Sequence, residues 1–195
     1  MSDKASISNI VKLSIPIFFA NLVIPLVAIV DTGLMGNLDN ASYLTATSIA
    51  ASLFSLIFWS FGFLRMGTTG MVAQAHGSKN YDEIVNLVFR NIAFVILISL
   101  LLIFCQGYIF TIALSIFELS AETTIYFKEY FELRIYSSFG ELTIYIITGL
   151  FIGLQRTTIS SVVVGFFSIT NILLSLLFVV YFDLNVQGVA LGTVI

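Results

Sequence analysis

Apolar residues run along this chain in long blocks, separated by short polar stretches. No charged side chain falls between Leu13 and Val30, Asn40 and Leu64, Asn91 and Phe117, or Thr157 and Phe182. A bilayer core of about 30 Å takes about 20 apolar residues of helix, so each block predicts a spanning helix. The stretch from Tyr126 to Gln155 is less clean, because it carries Lys128, Glu129, Glu132, Arg134 and Glu141. Its uncharged second half is too short to span alone, so the helix is extended outward through the charges. A last apolar segment starts near Val186 and stops at Ile195. Ten residues of helix rise about 15 Å, half the bilayer core. The pattern thus predicts helices over 12–36, 41–70, 86–113, 123–153 and 157–181, and half of a sixth from 186. Alternation with a period of two is absent, which argues against a β-barrel.

Composition narrows the class. Of 195 residues, 58% are hydrophobic and 10% charged, against about 45–50% and about 25% in soluble domains. That excludes an ordinary soluble enzyme and a disordered chain. Eight Lys and Arg with a net charge of −3 leave no basic patch for nucleic acid. One cysteine, Cys105, rules out a disulfide framework and a cysteine-based metal cluster. No nucleophile elbow, phosphate loop or His-Glu-x-x-His is present, so the chain does not read as an enzyme. The expected fold class is all-α integral membrane: five full transmembrane helices plus a truncated sixth, forming one domain over 1–195.

Lys and Arg set the orientation. Lys4, Lys12, Arg65, Lys79, Arg90 and Arg156 fall on one side, and Lys128 and Arg134 near the other. This places the N-terminus in the cytoplasm. Gly188 to Ile195 closes without an interfacial aromatic or basic anchor, so the chain is expected to be a fragment of something longer.

Ionisable groups at membrane depth are costly and are functional candidates. Asp31 lies about 27 Å along the first helix from Leu13, which places it in the outer leaflet. It can take up and release a proton or hold a desolvated Na⁺. The plainer reading is an Asp snorkelling to nearby water. The same helix holds Asn21 and the prolines Pro16 and Pro25, which either line a cavity or make a static kink. Arg134 and Glu141 are seven apart on one face of the fourth helix, about 10 Å along its axis. A direct salt bridge within the helix is not expected; water or a third helix would connect them. With Tyr145 and Thr148 they form a polar seam, functional or purely structural. Asn171 and Ser175 share a face of the fifth helix, where such residues often bond helix to helix. Gly149 and Gly153 form a close-packing step. His76 lies in the connection after the second helix, without the partners of a metal site. Cys105 reads as a small buried hydrophobe. The 19 Phe residues face lipid or fill the bundle.

Several runs resemble a known family. Val30–Gly36 (VDTGLMG) is similar to the first-helix signature of multidrug and toxic compound extrusion (MATE) transporters. Phe58–Gly70 (FWSFGFLRMGTTG), with Ala73–Gly77 (AQAHG), resembles their DinF-like branch. Gly149–Thr157 (GLFIGLQRT) and Asn185–Ile195 (NVQGVALGTVI) fit the same branch, so the resemblance covers the whole chain in register.

The resemblance implies the N-terminal lobe of a twelve-helix fold of two pseudo-symmetric lobes. It implies a secondary antiporter that exports drug-like or organic cationic compounds by alternating access, in exchange for H⁺ or Na⁺. It makes Asp31 the central carboxylate of a cation site, Pro16 the proline whose kink couples to protonation, and Asn171 and Thr193 further site residues. Na⁺ at Asp31, Asn171 and Thr193 is the alternative to H⁺; no other metal or cofactor is implied. In the family an Asp usually stands where this chain has Ser175. Serine cannot carry a second negative charge, so coupling would be weaker or use Asp31 alone. The implied partners are membrane lipid, a small amphipathic or cationic substrate and the missing C-terminal lobe, with no nucleic acid. The implied location is the bacterial inner membrane. Two other readings stay open: a truncated, non-transporting remnant or assembly partner, and, ranked lower, a flippase of lipid-linked substrates. The last needs a cationic cavity to which only Arg134 could contribute.

Overall fold

Local chemistry sets most helix starts in the structure, a computed structural model that describes residues 7–38 and 40–195. The first helix, α1 (Ile7–Gly36), runs unbroken through Pro16 and Pro25. Asn40 caps α2 (Ala41–Ser60), its side chain accepting from the Ser42 amide at 2.8 Å. Asn80 likewise caps α4 (Tyr81–Phe104), accepting from the Glu83 amide, with Asp82 and Glu83 in the first turn. Ser120 caps α6 (Ala121–Arg134), with Glu122 in its first turn. Side-chain oxygens satisfy orphan amides there, and acidic residues suit the positive end of the helix dipole. The remaining helices are α3 (Phe63–Gly77), α5 (Gln106–Ile116), α7 (Ser138–Gly153), α8 (Thr157–Leu176) and α9 (Asn185–Val194). Lys4 and Asp39 lie outside the described residues, as do the side chains of Lys12 and Asn21.

Three of the expected helices are broken where the sequence suggested continuity. The second divides at Phe61–Gly62, where i→i+3 bonds from Phe61 to Phe58, Gly62 to Trp59 and Leu64 to Phe61 tighten the turn. Its continuation, α3, runs to Gly77, seven residues past the expected end at 70. His76 therefore sits in the last turn of a helix, not in a connection. The third divides at Cys105, between α4 and α5. Cys105 is half-buried, where a buried hydrophobe was expected. The fourth passes through a 3₁₀ turn, Ile135–Ser137, between α6 and α7. The fifth ends in a π turn, Leu177–Tyr181, after α8.

The architecture is all-α, with no strand among the described residues. Four stretches among them are long and apolar enough to cross a membrane: Ala41–Gly77, Tyr81–Phe104, Ala121–Gly153 and Thr157–Tyr181. Helix α7 packs on α3, α4 and α8; α1 lies along α8; α2 lies on α6; and α9 folds back against both α8 and α6. The α3–α7 contact is close because α7 presents glycine. A Cβ on Gly149 would stand 2.8 Å from the Arg65 carbonyl, and one on Gly153 2.8 Å from the Thr69 carbonyl. The Gly-x-x-x-Gly step is the packing device the sequence suggested.

The main core joins α1, α2, α6, α7 and α9 through Met35, Phe54, Phe127, Phe131, Leu142 and Val189. Its aromatic centre is a chain of rings: Phe54 to Phe131 at 5.3 Å, and Phe110 to Phe127 and Phe131 at 5.6 and 5.5 Å. Such offset and tilted pairs suit the ring quadrupoles. Phe89, Phe104 and Phe166 instead face outward, as expected of a bundle whose surround is lipid.

Candidate polar site within the bundle

Asp31 stands one turn before Met35, which is fully buried, so α1 turns its Asp toward the bundle. Helix α1, which carries Asp31, lies along α8, which carries Ser175. Ser175 is completely enclosed. It is covered by α9 at a glycine: a Cβ on Gly192 would stand 2.6 Å from Ser175 Oγ and 2.7 Å from its backbone nitrogen. One turn earlier on α8, the Asn171 amide Nδ2 donates to the Gly192 carbonyl at 3.2 Å. Asn171 thus ties α8 to α9, the helix-to-helix role the plainer reading gave it.

The acceptors are what remain unsatisfied. Asp31 Oδ1, Asn171 Oδ1 and Ser175 Oγ are all buried with no hydrogen-bond partner among the described residues. An unmet buried polar atom costs about 1–3 kcal/mol. Two of the three lie one turn apart on α8, and the third lies on α1, which packs along it. A carboxylate, an amide oxygen and a hydroxyl form an oxygen donor set, as hard cations require. Among the described residues there is no cluster of three or more His, Cys, Asp or Glu that could hold a metal ion.

A second polar group lies where α6 passes into α7. Arg134, at the end of α6, is buried. Its Nη2 donates to Glu141 Oε1 at 2.8 Å, and its Nη1 to Ser137 Oγ. The guanidinium lies 5.5 Å from the ring centres of both Phe54 and Phe58. The direct Arg134–Glu141 bridge corrects the sequence expectation. Seven residues of ideal helix separate the two by about 10 Å along the axis. The long Arg side chain closes that gap within one helical segment, across the 3₁₀ turn. Neither water nor a third helix is needed to connect them.

Other expected residues fall at the edge. The Thr193 hydroxyl donates to the Val189 carbonyl of its own helix at 3.0 Å, and that of Thr148 to the Ile144 carbonyl at 2.7 Å. Tyr145 is half-buried one turn after Glu141. Pro16 is half-buried and Pro25 exposed. Sequence reasoning passed over Tyr130, Ser137, Phe54, Phe58 and Gly192. The spacing of four between Phe54 and Phe58, and between Tyr130 and Arg134, was the available signal.

Comparison with known proteins adds the following. The MatE family profile matches residues 16–177. DNA damage-inducible protein F of Escherichia coli K12 is 33% identical over 196 residues, covering 100% of this chain and 41% of that protein. A multidrug resistance MATE family transporter of the MOP superfamily, solved in an outward-facing conformation, superposes with a TM-score of 0.84 at 20% identity. It is matched over 95% of this chain and 41% of its own. A MOP superfamily transporter from Pyrococcus furiosus superposes with a TM-score of 0.85, also at 20% identity and over the same shares. The chain therefore spans about two fifths of the length of these proteins.

Proposed function

The chain belongs to the MatE family, and from that premise we propose that it is the ion-binding lobe of a secondary antiporter. Family members are transporters, and the chain is a multi-pass membrane protein. In this reading Asp31 takes up H⁺ or Na⁺ as the carboxylate of the site. Asn171 and Ser175 supply neutral oxygens beside it, and Thr193 joins when its hydroxyl turns from its own helix. The exported compound is drug-like or an organic cation, carried between this lobe and a second one of similar size. Pro16 and Pro25 each leave a carbonyl of α1 without its helical donor, which lets the helix bend as the site fills. The setting is the bacterial cytoplasmic membrane.

The observation that carries the reading is the trio of unpaired buried oxygens on Asp31, Asn171 and Ser175. A purely structural polar network would have satisfied them. The flippase reading loses its support: Arg134, the residue that could have lined a cationic cavity, is clamped by Glu141 and covered by Phe54 and Phe58.

The test is efflux of ethidium from efflux-deficient cells that express this chain together with the C-terminal half of the Escherichia coli relative. Gradient-dependent efflux that disappears in Asp31→Asn, at unchanged membrane expression, supports the reading. Efflux equal in Asp31→Asn and the parent removes Asp31 from the mechanism. In the same assay, Ser175→Asp restores the family's second carboxylate and should alter the pH profile, since two close carboxylates share a proton.

A further inference from the structure

The stretch Ala121–Gly153 divides unevenly between water and lipid. Helix α6 carries Glu122, Lys128, Glu129, Glu132 and Arg134, whereas α7 carries Glu141 alone. The hydrocarbon boundary therefore falls near the turn Ile135–Ser137, and the outward face of α6 stands at headgroup level. Two exposed tyrosines, Tyr136 in that turn and Tyr108 near the start of α5, fit this level, because tyrosine collects at membrane interfaces. Between α5 and α6 lies a groove of about 490 Å³, within the range of about 300–1,000 Å³ usual for small-ligand clefts. Phe110 and Phe131, with ring centres 5.5 Å apart, give it an apolar base. Its polar lining is Gln106, Tyr136, Lys128 and Glu132. Gly107 keeps one wall open: a Cβ there would meet nothing within 4 Å. Lys128 and Glu132 lie one turn apart with Nζ and Oε1 at 3.7 Å, wider than a hydrogen bond. Both side chains are 59% exposed, so each keeps hydrogen-bonding capacity for a ligand.

We propose that this groove binds a phospholipid whose headgroup carries a primary amine, of the phosphoethanolamine type. Such a headgroup joins an anionic phosphodiester to a cationic ammonium by a short carbon link. The groove offers the opposite pair: Lys128 Nζ for the phosphate oxygens and the Glu132 carboxylate for the ammonium. Opening the Lys128–Glu132 pair costs little, because exposed ion pairs contribute little. Gln106 and Tyr136 carry donors for the ester oxygens, and Phe110 and Phe131 cover the glycerol and the first methylenes. A groove at this level is supplied from the bilayer, so the phosphate it meets is that of a lipid.

The test titrates the purified chain in detergent with phosphatidylethanolamine, phosphatidylcholine or phosphatidylglycerol, reading bound lipid by native mass spectrometry. The parent should hold phosphatidylethanolamine more tightly than the other two, because choline has no N–H to donate and glycerol no charge. Lys128→Gln should weaken phosphatidylethanolamine by about tenfold. Glu132→Gln should erase its advantage over phosphatidylcholine. Gly107→Leu fills the open wall without touching either charge and should weaken all three lipids. Lys128 and Glu132 are exposed, so their variants leave folding intact. Equal binding of the three lipids by the parent, or parent affinity in Lys128→Gln, would reduce the groove to ordinary lipid contact and overturn the proposal. Displacement of bound lipid by inorganic phosphate would make it a site for free phosphate and overturn the lipid assignment.

Discussion

Asp31 and Arg134 show how a single residue acquires meaning from its surroundings. Both were visible in the sequence, because an ionisable residue in an apolar block is conspicuous and costly. Their partners were not visible. The helix of Asp31 packs along that of Ser175, 144 positions away in the chain, and Arg134 meets Phe54 and Phe58 from another helix altogether. The Arg134–Glu141 pair was dismissed on helical rise alone, which ignores the reach of a guanidinium at the end of a long side chain. The same pair yields a stability prediction. Arg134→Met should destabilise the protein by about 1–3 kcal/mol, because the half-buried Glu141 loses its partner, and Arg134→Met with Glu141→Leu should recover most of that loss. Thermal unfolding in detergent measures both. Equal losses in the single and double variants would mean the pair does not function as a unit.

At the scale of the element, helix existence was legible and helix continuity was not. The apolar blocks located every segment, since length and lack of charge decide which stretches can cross a bilayer. The interruptions at Phe61–Gly62, at Cys105 and at Ile135–Ser137 follow from how each segment packs and have no proline to announce them. The two prolines that do announce a break lie inside an unbroken α1. Glycine was the better guide. Gly149 and Gly153 set the α3–α7 approach, and Gly188 and Gly192 let α9 close on the end of α8. Gly153→Ala forces a methyl to within 2.8 Å of the Thr69 carbonyl and Val72 Cβ. It should cost about 1–3 kcal/mol, seen as a lower unfolding temperature. Gly165→Ala, where a Cβ meets nothing within 4 Å, should leave that temperature unchanged or raise it.

For the whole molecule, orientation is a proposal that rests on the distribution of basic residues in the sequence. Six basic residues against two favour a cytoplasmic N-terminus. With Cys105 replaced by Ser, a membrane-impermeant maleimide added to intact cells should label Glu122→Cys and spare Lys79→Cys. The reverse pattern would invert the topology. By itself, the sequence determined the membrane class, the number and order of apolar segments, the family resemblance and the suspicion attached to Asp31, because hydropathy, charge and motif are local properties of the chain. The tertiary structure decided which polar groups meet. It laid the helix of Asp31 along that of Ser175, bound Asn171 to the backbone of α9, and gave Arg134 its Glu141 and aromatic enclosure. It also left three buried oxygens unpaired. Those outcomes depend on helix faces brought together from distant parts of the chain, and no local pattern encodes which face turns toward which.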